Sequence, residues 1–136
     1  MKIVILGVSH FGAQFARLMR DAGHQLTLID RSLDAFDRLP KNFPAVSVLG
    51  IGIDEDVMRK AGVGQADLFL AATDSDNTNL MAAQVAKVVF NIKRSVARVH
   101  DPDRADIFNS LGLIEVICPS LDAARALGRT LTDKGA

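Results

Sequence analysis

A glycine-bounded turn near the N-terminus carries the residues with the clearest chemistry. Gly7, Ser9 and Gly12 hold the three positions of the dinucleotide-binding pattern Gly-x-Gly-x-x-Gly, with serine in the middle. A turn of this kind that leads into a helix presents unpaired backbone N–H groups and partial positive charge to a phosphate. We expect the Ser9 hydroxyl to donate to a phosphate oxygen as well. The predicted phosphate-binding turn comprises Gly7, Val8, Ser9, His10, Phe11 and Gly12.

Asp30 stands where such a site needs an acidic residue. It follows Gly12 by 18 residues, a spacing at which a carboxylate accepts from an adenosine ribose hydroxyl. A carboxylate also repels a 2′-phosphate, which favours NAD or adenosine phosphates over NADP, although Arg31 beside it weakens that exclusion. The alternative role for Asp30 is a helix cap or turn residue after a strand. Because the glycine turn lies at the correct distance, we favour the ligand role.

The spacing of apolar residues predicts the elements that position these groups. Short β-branched or apolar runs at residues 2–6, 25–29, 45–49, 68–70, 94–99 and 115–117 indicate strands, and helical spacing follows each of them. The first helix has a predicted buried face of Phe11, Phe15, Leu18, Met19 and Ala22. The helix that ends near Phe90 is apolar almost all round, so we expect it to be heavily buried.

Six strand–helix alternations with short connections predict the fold class. It is an α/β, Rossmann-like doubly wound fold with a parallel six-stranded sheet in the order 3-2-1-4-5-6 and helices on both faces. We expect one domain over residues 1–136. Ligand then binds at the carboxyl ends of strands one and four, where residues 7–12 and 72–79 face each other. Thr73, Asp74, Asp76 and Asn79 serve there either as helix caps or as ribose and phosphate neighbours.

Composition excludes several classes of protein. Sixteen basic and sixteen acidic residues give a formal net charge of zero, which argues against a nucleic-acid interface. No apolar run approaches ~18 residues, and the chain starts directly with a strand, so we expect neither membrane insertion nor a signal peptide. The single cysteine, Cys118, fits a reducing cytosol, and the spacing of the three histidines predicts no metal site.

Several segments at the right mutual distances match one known family. The turn at residues 7–12 is similar to a Gly-x-Gly-Arg-Phe-Gly loop, Asp30 matches a strand-two acid, and residues 50–54 align with Gly-Asp-Ala-Thr-Asp. Residues 71–80 are similar to Ala-Thr-x-Asp-Asp-x-x-Asn-Leu, and residues 97–99 and 111–119 continue the likeness. The chain from residue 2 to about residue 131 thus resembles the N-terminal domain of regulators of potassium conductance, the RCK or KTN domain of Trk/Ktr-type systems.

This resemblance implies a function. Such domains are cytosolic, lie at the inner face of the membrane, bind NAD(H), ATP or ADP as effectors, and gate a membrane potassium channel or transporter. They form homodimers and larger rings, and the helix at about residues 120–133 corresponds to one that crosses to the partner. The resemblance adds Gly50, Ile51, Gly52, Ala72 and Arg98 to the expected binding residues.

Departures from the family pattern leave alternatives open. His10 replaces an arginine that often contacts phosphate, so it is either a phosphate contact or an exposed turn residue. Ile51 replaces an aspartate near the adenine; it can pack on the base but accepts no hydrogen bond. Arg98 either reaches a phosphate or pairs with an acid at a subunit interface. The competing hypotheses are an assembly module with a vestigial site and a fragment of an NAD-dependent oxidoreductase; we expect no catalytic residues.

Overall fold

A computed structural model describes residues 1–135, with side chains through residue 132; Ala136 of the expected domain lies outside the described residues. The strands are β1 (Lys2–Leu6), β2 (Gln25–Asp30), β3 (Val46–Leu49), β4 (Leu68–Ala71), β5 (Arg94–Arg98) and β6 (Glu115–Ile117). The α-helices are α1 (His10–Asp21), α2 (Glu55–Lys60), α3 (Asp76–Val88), α4 (Pro102–Leu111) and α5 (Pro119–Gly135). Two 3-10 helices span Leu33–Arg38 and Val63–Gln65.

The six strands form one parallel sheet in the order β3-β2-β1-β4-β5-β6, which confirms the predicted fold class. In the register of the central strands, Leu6 lies between Ile29 of β2 and Ala71 of β4. The loops that follow β1, β2 and β4 therefore leave the sheet side by side. This edge is where a doubly wound fold places its ligand.

The core lies on both faces of the sheet because the central strands have consecutive buried apolar residues. Residues Ile3, Val4, Ile5 and Leu6 of β1 are buried, and alternate members contact two different clusters. One cluster lies under α1 and the first 3-10 helix, and the other lies under α2 and α3. The glycine turn thus follows a strand that is buried on both faces.

The buried face of α1 differs from the prediction. Ala13 and Ala16 are buried against the sheet, whereas Leu18 is 62% exposed, and the larger residues Phe11, Phe15 and Met19 pack only at the margin. The reason is helix geometry, because Leu18 follows Ala16 by two residues and so lies on the opposite side of α1 from the face that packs on the sheet. The helix begins close to the first turn, since a Cβ on Gly12 would overlap the carbonyl oxygen of Gly7.

The outer helices are less buried than their composition predicts. On α3, Leu80, Ala82, Ala83 and Ala86 are buried, but Met81 and Val88 are exposed, so the expectation of a heavily buried helix was wrong for one face. The helix α5 contacts a core cluster through Leu121, and Leu127 and Leu131 are exposed. None of the helices within residues 1–135 has the length and hydrophobicity needed to cross a bilayer.

Candidate functional site

A crevice of about 980 Å³ opens at the carboxyl edge of the sheet. It lies between the loops after β1, β2, β3 and β4, and the first 3-10 helix forms one wall. Its lining residues are Leu6, Gly7, Ser9, Asp30, Arg31, Ser32, Asp34, Ala35, Asp37, Arg38, Gly50, Ile51, Gly52, Ile53, Thr73, Asp74, Ser75 and Thr78. The volume is in the range of small-molecule and cofactor sites.

Gly7 sets the course of the turn after β1. Its φ is +96°, a conformation that side chains other than glycine rarely adopt, and its N–H donates to the Ile29 carbonyl at 2.7 Å. A Cβ at this position would lie 2.6 Å from the Thr73 nitrogen. The turn therefore lies directly against the loop after β4, and only glycine permits that contact.

Ser9 caps α1 rather than offering its hydroxyl to a ligand. Its Oγ accepts from the Gly12 N–H at 3.1 Å and donates to the Ala72 carbonyl at 2.7 Å, and the residue is buried. The expectation that the hydroxyl donates to a phosphate was wrong, because its one proton is already engaged. Ser9 instead ties the first turn to the end of β4. His10, the first residue of α1, is exposed.

The Asp30 carboxylate holds two loops together beside the crevice. Oδ2 accepts from the Val8 N–H and Oδ1 accepts from the Ser32 N–H, both at 2.9 Å. A carboxylate has about four acceptor positions, so each oxygen keeps capacity for a hydroxyl donor. Asp30 thus performs the turn role that its sequence position allows and still lines the crevice.

Asn79 is a structural centre and not a crevice residue. It is fully buried; its Oδ1 accepts from the Thr73 N–H at 2.8 Å and from the Thr73 Oγ1 at 2.6 Å. Its Nδ2 donates to the carbonyls of Thr73 and Arg98 at 2.9 and 2.8 Å. All of its hydrogen-bonding positions are occupied within the protein, so the direct ligand contact expected of Asn79 is corrected to a positioning role.

Arg98 is buried between the loop after β4 and α1. Nη2 donates to the Thr73 carbonyl at 2.7 Å and lies 3.5 Å from Oδ1 of Asp74, and the guanidinium lies 5.7 Å from the centre of the Phe11 ring. Its buried Nε has no hydrogen-bond partner within the described part of the chain. Neither Arg98 nor Phe11 lines the crevice.

Asp76 does not line the crevice and binds the loop after β5. Both carboxylate oxygens accept from the His100 N–H at 3.0 Å, and Oδ1 lies 2.8 Å from Nδ1 of His100. Burial alone raises the pKa of Asp76, but the hydrogen bonds and charge of His100 outweigh it, so the net pKa lies below the ordinary 3.8. The ligand role expected of Asp76 is corrected to a link between two loops.

The wall after β3 is apolar. A Cβ at Gly52 would overlap the Leu6 side chain, so this glycine lets the loop pass over the end of β1. Ile51 is 60% exposed although it lines the crevice, and Ile53 beside it is also exposed. Exposed isoleucines inside a concave site provide a surface on which the face of a planar base can pack.

Sequence reasoning missed the contribution of the first 3-10 helix. Arg38 Nη1 donates to the Val8 carbonyl at 2.7 Å, and the Arg38 carbonyl accepts from Arg17 Nη2 at 2.7 Å, so this arginine braces the glycine turn. Asp34 and Asp37 line the same wall. The sequence did contain a signal for this wall, because residues 31–38 directly follow Asp30. A segment that leaves the carboxyl end of a strand must pass the crevice.

The structure brings together about half of the predicted site. Among the predicted residues, the crevice is lined by Gly7, Ser9, Asp30, Arg31, Gly50, Ile51, Gly52, Thr73 and Asp74. Those that do not line it are Val8, His10, Phe11, Gly12, Ala72, Asp76, Asn79 and Arg98. Among residues 1–135, no three or more His, Cys, Asp or Glu side chains come together as metal ligands.

Comparison with known proteins shows which proteins this chain is similar to. The family model described as the TrkA-N domain matches residues 3–119. The Trk system potassium uptake protein TrkA of Streptomyces coelicolor is 37% identical over 131 residues, which span 96% of this chain and 59% of the relative. The AMP-bound Kef CTD of Shewanella denitrificans is 26% identical, with a TM-score of 0.75 and coverage of 100% of this chain and 83% of that one. The ADP-bound GsuK structure is 25% identical, with a TM-score of 0.76, and the match covers 98% of this chain and 34% of that one.

Proposed function

This chain belongs to the TrkA-N family, and we propose that it is a nucleotide-binding regulatory domain of a potassium uptake system. One observation carries the proposal: the Asp30 carboxylate is fixed beside the glycine turn at the mouth of the crevice. That arrangement pairs an acceptor for ribose with the N-terminal end of α1, whose partial positive charge favours a phosphate. The chain spans 59% of the length of its Streptomyces relative, so the transport partner is part of the proposal.

The ligand that we propose is an adenine nucleotide, NAD(H) or ATP/ADP. The relatives with AMP and with ADP bound support this class. Within the crevice, the base packs against Ile51 and Ile53, the ribose lies at Asp30, and the phosphates lie at the turn from Gly7. The nucleotide acts as an effector and not as a redox cofactor, because the sequence has no tyrosine and its one cysteine, Cys118, is buried outside the crevice.

We further propose that the chain acts as a homodimer within a larger assembly at the inner face of the membrane, where it gates a potassium channel or transporter. The support is a group of exposed apolar residues on α4 and α5: Ile107, Leu111, Leu127 and Leu131. A nucleotide regulates such an assembly only through different affinities for two of its states. The helix α5 is the element that we expect to cross to the partner.

A thermal-unfolding scan with AMP, ADP, ATP, NAD⁺, NADH and NADPH tests the nucleotide proposal. A ligand at 100 times its Kd adds ~2.7 kcal/mol to the free energy of unfolding, which raises the Tm by several degrees in a domain of this size. We expect a rise with at least one adenine nucleotide and none with NADPH. No rise with any of them would leave an assembly module with a vestigial site.

A further inference from the structure

We propose that Arg31 holds the base of the adenine nucleotide from the side opposite Ile51, so that the crevice clamps the flat ring between a guanidinium and an apolar side chain. The proposal rests on the function proposed above and adds to it a residue that recognises the face of the base. Arg31 and Ile51 both line the crevice, and both are exposed.

The loop after β3 presents isoleucine to the crevice because glycines let its backbone lie against other side chains. A Cβ on Gly50 would lie 2.7 Å from Cγ2 of Val57, and a Cβ on Gly52 would overlap the Leu6 side chain. The loop is therefore held down on both sides of Ile51, whose side chain remains exposed at the crevice. It provides one apolar surface for a planar ring.

Arg31 follows the neighbouring strand and leaves the sheet beside this loop. In the register of β2 and β3, Asp30 pairs with Leu49, and the Gly50 N–H donates to the Asp30 carbonyl at 3.0 Å. Neighbouring strands lie about 4.8 Å apart, so the residues after Asp30 and Gly50 continue side by side. The Ser32 N–H donates to Oδ1 of Asp30 at 2.9 Å, which fixes the backbone on the other side of Arg31.

The charges around Arg31 favour stacking on a ring over a contact with phosphate. Asp34 and Asp37 lie three residues apart on the first 3-10 helix, a spacing that puts both on one side, and both line the crevice with Asp30. Three carboxylates offset the single positive charge of Arg31. The planar guanidinium keeps its attraction for the face of an aromatic ring. The phosphates are proposed at the turn from Gly7, which follows β1 on the side of β2 away from β3.

Calorimetric titration of the natural chain and of Arg31→Lys with ADP tests the proposal. Lysine keeps the positive charge and loses the planar group, so we expect the affinity for ADP to fall about fivefold. Salt screens the attraction between exposed charges, whereas the loss of stacking should be the same at low and at high ionic strength. Arg59→Lys is the matched control, because Arg59 is exposed, pairs with Asp56 and does not line the crevice.

The side-chain Nε–Hε signal of Arg31 in ¹H–¹⁵N spectra gives a second readout, and its absence from Arg31→Lys assigns it. A hydrogen above the face of an aromatic ring is shielded by the ring current. We therefore expect saturation with ADP to move this signal upfield. A hydrogen bond to a phosphate oxygen moves the same signal downfield, so the direction of the shift distinguishes the two contacts.

The outcomes separate this proposal from the nucleotide function. If Arg31→Lys binds ADP within twofold of the natural chain, or loses affinity only at low ionic strength, the proposal is overturned and the nucleotide function stands. An Hε signal that moves downfield or does not move has the same consequence. If Arg31→Lys does not fold, Arg31→Gln assigns the signal and the direction of its shift decides alone. If ADP does not bind the natural chain, both proposals fail.

Discussion

The backbone N–H of Val8 donates to Oδ2 of Asp30 at 2.9 Å, and this one bond joins the turn after β1 to the end of β2. The other carboxylate oxygen accepts from Ser32, so the same side chain also fixes the loop that leads to the first 3-10 helix. Two walls of the crevice therefore depend on one residue. The group that we propose to bind ribose is thus also the group that shapes the site.

Replacement of Asp30 by alanine is expected to weaken nucleotide binding by at least tenfold. The variant loses the acceptor for ribose and leaves the Val8 and Ser32 N–H groups without their partner. We also expect a loss of about 1–2 kcal/mol in the free energy of unfolding. Calorimetric titration and urea unfolding measure the two effects. Asp56→Ala is the control, because Asp56 is exposed and pairs with Arg59 on the surface. Unchanged nucleotide binding by Asp30→Ala would contradict the prediction.

Gly7→Ala is expected to destabilise the fold by about 2 kcal/mol or more, because it combines a positive φ with a Cβ placed 2.6 Å from the Thr73 nitrogen. The change also separates the two loops on either side of the crevice, so nucleotide binding falls with stability. Gly128→Ala is the control, and we expect it to change stability in the opposite direction. Within the described residues, no atom outside the helix's own backbone lies within 4 Å of a Cβ there, and alanine in the middle of α5 is expected to stabilise by ~0.5–1 kcal/mol. Thermal unfolding measures the stability of both variants, and an equal change in Tm for the two would contradict the prediction.

Asn79→Ala tests the positioning role assigned to this residue. Asn79 is fully buried, and the substitution removes the hydrogen-bond partner of the Thr73 N–H and of the Arg98 and Thr73 carbonyls. We expect a loss of about 3 kcal/mol in the free energy of unfolding. Asn77→Ala, an exposed position on the same helix, is expected to change stability by ~0.5 kcal/mol or less. Equal stabilities of the two variants in urea unfolding would argue against the assigned role.

The pair formed by Asp76 and His100 predicts a specific dependence of stability on pH. Because the pKa of Asp76 is lowered in the folded state, its contribution is complete above the unfolded value of 3.8 and disappears as pH falls through the lower folded pKa. Asp76→Asn removes this contribution. The difference in unfolding free energy between the natural chain and the variant should therefore shrink as the pH falls from about 5 to about 3.

Denaturant unfolding at several pH values measures this difference, and Asp106→Asn on the exposed side of α4 is the control. A difference that stays constant across the range would show that the carboxylate charge of Asp76 contributes nothing to the pair.

The exposed apolar residues of α5 predict self-association. Leu127→Glu combined with Leu131→Glu places charges on the surface proposed to meet a second copy, so the variant is expected to sediment as a monomer where the natural chain sediments as a dimer. Leu33→Glu is the control, because Leu33 is equally exposed but lies on the first 3-10 helix. A natural chain that remains monomeric at high micromolar concentration would contradict the dimer.

The sequence was sufficient for the fold because each strand contains a short apolar stretch and the turns between elements contain glycine, proline or capping side chains. The order of the strands followed from the alternation of strands and helices along the chain and from right-handed crossovers. The pattern also located Gly7, Asp30 and the loop at Thr73 correctly on one edge. These features depend on local chemistry and on topology, both of which a single sequence contains.

The side-chain partners of the site were beyond the reach of the sequence. Ser9 and Asn79 have the residue types of ligand contacts, but their polar atoms are engaged by Ala72, Thr73 and Arg98, which are distant in the chain or across the loop. Spacing places residues on an edge and does not give the direction of a hydroxyl or an amide. Likewise, the apolar pattern of α1 did not show that the side with Ala16, and not the side with Leu18, meets the sheet.

The most direct test of the central claim is a ¹H–¹⁵N NMR titration of the chain with ADP, which reports both whether a nucleotide binds and where. The account predicts saturable shifts of the backbone amides of Gly7, Val8, Ile51 and Thr73, and no comparable shifts at Glu115 or Leu127 far from the crevice. Saturable shifts confined to another surface, or no shifts at millimolar ADP, would contradict it.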